Sequence, residues 1–529
     1  MRKIKNNNIK IIISIICISM ILVQCCGCGR SVIAADEQSE ETMQTDVSSY
    51  NSDGKFSVFY NSSATLNPMT TDDADNQMVD GLLYECLLNV DSSFEIHKSV
   101  LSTWESEDGI VWVFTIDKGH YFSDGNEVNA DDVAYSINSA ADNERYAKVL
   151  SKWISDVKTD EEGTVTVTLS KANTQFPMLL EIPVIEYNTL SNNVPIGSGP
   201  YVYTYSSTVL TPNKYYPTAN DLPVDNIYLV TYSSTEDYTT KFNDSTCDIA
   251  QNDPSKMNGI GIGSSTQARG YNTTNVHYII FNMSNAVLSD RKLPHAFSRA
   301  FDRDYMVNNL MQGNALATAV PINPASSLYD KQVESQLEYD LDACRKELAD
   351  IGVDDYDKDG LAEYKTEDGT ELDIDLDFVV CSDSQAKIEM AEKFASEMAG
   401  IGITVNVKTL NWDNYQEALI NGSFDIAYCE TKLPSDFDLT SILVSGASLN
   451  YNRSYDTEIN SLINEYLASD DSDRQTNLDK MLQYIADNAL MITICFEKHQ
   501  LVAHRGMISN ITVGQNDLLF DFSNWDINI

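Results

Sequence analysis

A mixed α/β protein with more than one lobe is the fold class this sequence predicts. Short β-rich runs alternate with helical segments from Lys55 onward, no internal repeat is detectable, and the chain is 529 residues long. At roughly 100 to 200 residues per domain, that length suggests about three domains or two large lobes. Hydrophobic residues make up 43 % of the chain, enough to build a core, which excludes a disordered or low-complexity protein.

The elements read in order as follows. KFSVFY is a strand, followed by a loop holding Leu66-Asn67-Pro68 and a helix from about Met78 to Leu88. VWVFTI is a strand, and Ser123-Asp124-Gly125 is a turn in which the Asp folds onto its own backbone and the Gly takes positive φ. Asn129 can cap a helix whose first turn holds Asp131 and Asp132, acids that suit a helix N-terminus. TVTVTLS alternates at period two, the mark of a half-buried strand. VDNIYLVTY and HYIIFNMS are strands, and DRKLPHAFSRAFDRDYMVNNLM is a helix interrupted or started at Pro294. LDIDLDFVV, ITVNVKTL and FDIAYCE are strands, and the helix KIEMAEKFASEMAGIG among them is stopped by Gly400 and Gly402.

The N-terminus is a separate text. Arg2, Lys3, Lys5 and Lys10 precede the apolar stretch Ile11 to Val23, then Gln24-Cys25-Cys26-Gly27-Cys28-Gly29. A basic region, a short apolar region and small residues make a secretory signal. Cysteines at the cleavage zone resemble a bacterial lipoprotein signal, with Cys28 as the lipidated residue and Cys25 as the alternative. The signal would span residues 1–27, and residues 28–54, rich in Ser, Thr, Asp, Glu and Gln, would form a flexible tether. Asp and Glu number 79 against 35 Lys and Arg, a formal charge of -44. A chain so acidic repels phosphate backbones, so no nucleic-acid partner is expected.

The residues offer little for catalysis. Six His are scattered without an HExxH, no GxSxG occurs, and SxxK at Ser52, Ser155 and Ser384 lacks its companion motifs. No cofactor is expected. Cys86, Cys247, Cys344, Cys381, Cys429 and Cys495 lie in the body without a CxxC pair, and three of them sit in apolar β runs as core thiols. Asp355, Asp357, Asp359 and Glu363 resemble the front of a calcium loop, but Thr366 stands where the closing bidentate Glu belongs. A solvated acidic turn is the competing reading. Arg299 and Arg303, with Asp302 and Asp304, read as a structural salt-bridge cluster, the alternative being an anion site.

Five segments in sequence carry a family resemblance: Trp104 to Gly109 leading to Phe114-Thr115-Ile116; Phe122 to Val133; Gly197-Ser198-Gly199-Pro200-Tyr201; Phe281-Asn282 with Leu293 to Arg303; and Gly402 to Val405 with Phe424-Asp425. Their order and spacing resemble the large family 5 extracellular solute-binding proteins of ABC importers, which include oligopeptide-, dipeptide- and nickel-binding proteins. Gly197 and Gly199 are then expected in a strained inter-domain turn rather than a phosphate cradle. The resemblance implies a type II periplasmic-binding-protein-like clamshell of two α/β lobes with an extra inserted domain. Its split lobe would be residues 55–80, 196–275 and 496–529, its accessory domain 81–195, and its second lobe 276–495.

The resemblance further implies a solute held in the interlobe cleft and delivered to a membrane permease driven by a separate ATPase. Peptide binders of this family pair the ligand's ammonium with an Asp shortly after the strand containing Phe424 to Ala427, which points to Asp436 first and Asp438 second. Asn67 and Asn282 are the other candidate ligand contacts. Two departures bear on the solute: Pro434 lacks an N–H for strand addition, and the aromatic-Gly-Asp wording of peptide binders is missing. An oligosaccharide or other small solute is therefore the alternative cargo. A secreted hydrolase and a surface adhesion protein stand behind both.

Overall fold

The computed structural model describes residues 53–205, 207–254 and 260–529. The expected signal, the lipidation candidates Cys28 and Cys25, and nearly all of the expected tether lie outside the described residues. No helix among the described residues is long and apolar enough to cross a membrane.

The main elements are, in chain order, β1 (Phe56–Phe59), α1 (Ala74–Leu83), β2 (Leu101–Glu105), β3 (Val111–Ile116), α2 (Ala130–Asp142), β4 (Ile154–Thr159) and β5 (Thr164–Leu169). Next come β6 (Tyr201–Val202), β7 (Val209–Pro212), β8 (Ile227–Val230), α3 (Thr235–Asn243), β9 (Ile249–Asn252), β10 (Thr266–Phe281), β11 (Ala315–Ala317), α4 (Leu341–Asp350) and β12 (Asp375–Cys381). The rest are α5 (Gln385–Ala399), β13 (Thr404–Leu410), α6 (Trp412–Asn421), β14 (Ile426–Lys432), α7 (Thr457–Ala468), α8 (Arg474–Asp487) and β15 (Ile492–His504).

An 11-stranded mixed sheet runs β13-β12-β14-β10-β15-β9-β1-β8-β7-β6, with β11 also on β15. Its two halves share only the long antiparallel pair β10 and β15. β14 pairs with the C-terminal half of β10, and β9 pairs with the C-terminal half of β15. At about 3.3 Å per residue, the 16 residues of β10 span roughly 50 Å. The ladder breaks between Asn272↔Lys498 and Val276↔Phe496, a bulge that bends both strands where the halves meet.

Residues 81–195 carry their own four-stranded sheet, β2-β3-β5-β4. In β5 the alternation predicted from TVTVTL places Val165, Val167 and Leu169 inside and the threonines half out. Asn129 caps α2 with its side-chain oxygen, and Asp132 returns a bond to the Asn129 N–H, a reciprocal capping box. In the second lobe α5 lays Met390, Phe394 and Met398 into the core, where Phe394 stacks on Phe301 at 4.3 Å between ring centroids.

Four expectations need correction. The first helix stops at Leu83 rather than Leu88, because Leu87 and Leu88 donate instead to the carbonyls of Ile182 and Leu180. HYIIF, the first part of HYIIFNMS, is only the end of β10; its first half, from Thr266, is exposed at Ala268 to Gly270 and carries no apolar signal. Gly197 and Gly199 do not adopt positive φ, so what they provide is room and not a strained turn. A Cβ on Gly199 would stand 2.4 Å from the Leu83 carbonyl carbon, because this segment seats directly on the end of α1. Arg299 and Arg303 form no ion pairs with Asp302 and Asp304. Arg299 pairs with Glu347, while buried Arg303 donates to the carbonyls of Thr493 and Leu337. The six body cysteines are free thiols, five of them buried.

Candidate functional site

β14 leaves the sheet at Lys432 and enters a loop that Pro434 turns, its carbonyl accepting from Phe437 N–H at 3.0 Å. Phe437 takes a left-handed φ of 54° and is fully buried, packed on Phe94 of the accessory segment and Phe496 of the crossing strand. The loop is thus anchored by an apolar pin where all three parts of the chain meet. On either side of that pin stand Asp436 and Asp438, both with no exposure.

Each carboxylate is met from the accessory segment. Asp436 Oδ2 accepts from Asn173 Nδ2 at 2.9 Å, and its Oδ1 accepts from Asp438 N–H at 3.2 Å. Asp438 pairs with the Lys152 ammonium through Oδ2 and accepts from Thr440 N–H through Oδ1 at 2.9 Å. The Asp436 carbonyl accepts from Tyr466 Oη at 2.9 Å. Around them Lys171 donates to Asn464 at 2.8 Å, and Thr174 N–H donates to the Leu467 carbonyl at 2.8 Å. Burial first, and the neighbouring Asp438 charge second, push the Asp436 carboxyl up to about 6. Chemically the site is two buried carboxylates with the Lys152 ammonium in contact and the Lys171 ammonium nearby.

The other candidates lie elsewhere. Asn67 donates to the carbonyls of Leu190 and Asn192, and Asn282 donates to those of Gly422 and Phe424. Both amides fasten loops, and neither touches Asp436 or Asp438. Asp355, Asp357, Asp359 and Glu363 bring carboxylate oxygens within 4.8 Å of one another. All four accept N–H bonds from their own turn, Glu363 from Tyr356 at 2.9 Å and Asp359 from Leu361 at 2.8 Å. Two further groups converge on Glu497 in β15: His277 with Glu430, and His499 with Asp253.

Sequence reasoning missed Lys152, Asn173 and Tyr466, which lie far from Asp436 along the chain and carry no local motif. Glu497 and His499 are two apart in a strand and so share a face, a spacing that was readable.

Residues 95–431 match the family model of bacterial extracellular solute-binding proteins, family 5, middle region. Heme-binding protein A of Haemophilus influenzae is 24 % identical over 446 residues, covering 75 % of this chain and 78 % of that protein. Oligopeptide-binding protein AppA of Bacillus subtilis is 23 % identical over 417 residues, covering 72 % and 74 %. The structure of AppA with a nonapeptide superposes with a TM-score of 0.64 at 18 % identity, covering 90 % of this chain and 99 % of that one. The ABC-transporter substrate-binding protein CtaP of Listeria monocytogenes superposes at 0.73 and 18 % identity, with the same coverage. The fold is the type II binding-protein architecture these structures share.

Proposed function

Because the chain belongs to the bacterial extracellular solute-binding proteins of family 5, we propose that it captures oligopeptides or dipeptides between its lobes and delivers them to an ABC permease. The permease's own ATPase supplies the energy, and no bond of the solute is made or broken. A lipid on Cys28, or on Cys25, would hold the protein to the outer face of the cell membrane, with residues 28–54 as its tether. The relatives' solutes differ by name, heme in one and oligopeptide in another, so the solute is assigned from the site and not from membership.

The observation that carries the assignment is the buried Asp436 beside Asp438, with Lys152 as their one contacting ammonium. A peptide's α-ammonium supplies a further cation, in a charge-assisted bond that burial strengthens. To reach Asp436 it must enter while residues 152–175 and 433–469 stand apart, and the bonds between those segments then close over it.

The test is native mass spectrometry of the purified protein, alone and after incubation with mixed short peptides. The expected result is a peptide mass on the protein and chromatographic return of every peptide intact. Steady accumulation of cleavage products would show a hydrolase instead. A second reading, an oligosaccharide cargo, is favoured by Pro434, which has no N–H for strand addition. A single sugar mass retained on the protein would select it.

A further inference from the structure

Where β10 and β15 cross between the halves of the sheet, Glu497 is buried and held from three sides. His277 Nε2 meets its Oε1 at 2.9 Å, while Asn275 Nδ2 and His499 Nε2 meet its Oε2 at 3.1 and 3.2 Å. A carboxylate only accepts, so His277 carries its proton on Nε2, and its Nδ1 accepts from Tyr428 Oη at 3.0 Å. This chain of contacts orients Glu497. His499 Nε2 also faces Asp253 Oδ2 at 3.7 Å, on the segment just after β9.

We infer that Asp253, Glu497 and His499 form a binding site for one divalent metal ion of the zinc class, tying the residue that follows β9 to β15. Four observations carry this. The ligand-type atoms of all three residues lie within 4.8 Å of one another. The separations of 3.2 and 3.7 Å bracket the spacing of about 3.3 to 3.6 Å between ligands on one tetrahedral zinc. The Tyr428–His277 pair fixes Glu497 from behind, the outer support by which metal sites orient their ligands. Finally, Asp253 and His499 keep 16 % and 22 % of their side-chain surface exposed, so an ion can enter, and water can fill the fourth position.

One imidazole nitrogen with two carboxylate oxygens suits zinc or a neighbouring transition metal better than calcium, which takes six to eight oxygens. The overlapping group of His277, Glu430 and Glu497 is a poorer site. Lys387 already supplies a cation to Glu430, and His277 is fully enclosed. The Asp253 site is distinct from the Asp436 loop and does not depend on which solute the protein carries.

The test strips the full chain with chelator, titrates it with zinc chloride alone, and reads stoichiometry by native mass spectrometry and affinity by calorimetry. One equivalent is expected, accompanied by a rise in melting temperature. His499→Gln and Asp253→Asn, both at partly exposed positions, should each weaken binding at least tenfold and cancel the thermal shift. His277→Gln should weaken binding by about tenfold through Glu497. Asp436→Asn should leave zinc binding unchanged. If one variant fails to fold, the other still decides. Absence of stoichiometric zinc, or zinc retained undiminished by the variants at His499 and Asp253, would overturn the site and place any bound ion on other surface groups.

Discussion

Asp436→Asn is expected to stabilise the unliganded protein at neutral pH, although it removes the proposed ligand anchor. The carboxyl is fully enclosed, and that burial first, with the neighbouring Asp438 charge second, pushes it from an ordinary 3.8 up to about 6. At about 1.4 kcal/mol per pH unit, the charged form is disfavoured in the native chain by roughly 3 kcal/mol. Between about pH 4 and pH 6 the native chain keeps a proton that the unfolded chain releases. Stability from this group is therefore fully present below about pH 4 and lost as pH rises through about 6. Asparagine is close in shape to the protonated acid and cannot ionise, so the variant escapes that loss, while its amide nitrogen gives up one of the two bonds accepted from Asn173 and the Asp438 N–H at every pH. Paired thermal denaturation of both chains at pH 4.5 and 7.5, without ligand, reads the effect, since titrations away from the Asp436–Asp438 pair cancel in the difference. Relative to the wild type, the variant's melting temperature should be higher at pH 7.5 than at pH 4.5. A variant destabilised equally at both values would refute the reasoning, for the carboxylate would then be a structural anchor in the free protein.

Other expectations follow from the same contacts. Gly199→Ala would set a methyl 2.4 Å from the Leu83 carbonyl carbon and 2.5 Å from the Tyr84 nitrogen, both backbone atoms that cannot swing aside. It should cost more than about 3 kcal/mol, seen as poor soluble yield or a sharply lowered denaturation midpoint. Lys152→Met leaves buried Asp438 without its ammonium. Because 30 % of the Lys152 side chain is exposed, the cost should be about 1 to 3 kcal/mol rather than that of a fully buried pair. Hydrogen exchange should then quicken around residues 152–175 and 436–440, while β12 and β13 stay protected.

Much of the fold was legible because burial and periodicity agree locally. TVTVTL alternates because one face of β5 is inside, and Asn129 with Asp132 marks a helix start through a bond pattern complete within four residues. The first half of β10 was invisible because Ala268 to Gly270 is exposed, and its strand geometry is imposed by β15. Residues 87 and 88 looked helical by composition and were drawn out of the helix by the carbonyls of Ile182 and Leu180. At the site, Asp436 and Asp438 came from family resemblance. Asn173 lies 263 residues from Asp436 and Lys152 lies 286 from Asp438, separations that only the folded chain closes. The His277–Glu497 contact likewise depends on the register that sets His277 opposite Cys495.

The central claim, that Asp436 receives the ammonium of a peptide, is tested most directly by calorimetry on four combinations. A short peptide and its N-acetylated form are each titrated into the wild-type protein and into Asp436→Asn. Removing the carboxylate should weaken the free-amine peptide by about thirtyfold or more, on the order of 2 to 5 kcal/mol. Acetylation should cost the wild type a similar factor and the variant little more, since both changes delete the same pair. Acetylation harmless to the wild type, with Asp436→Asn still abolishing binding, would contradict the account and leave Asp436 holding the protein together rather than the ligand.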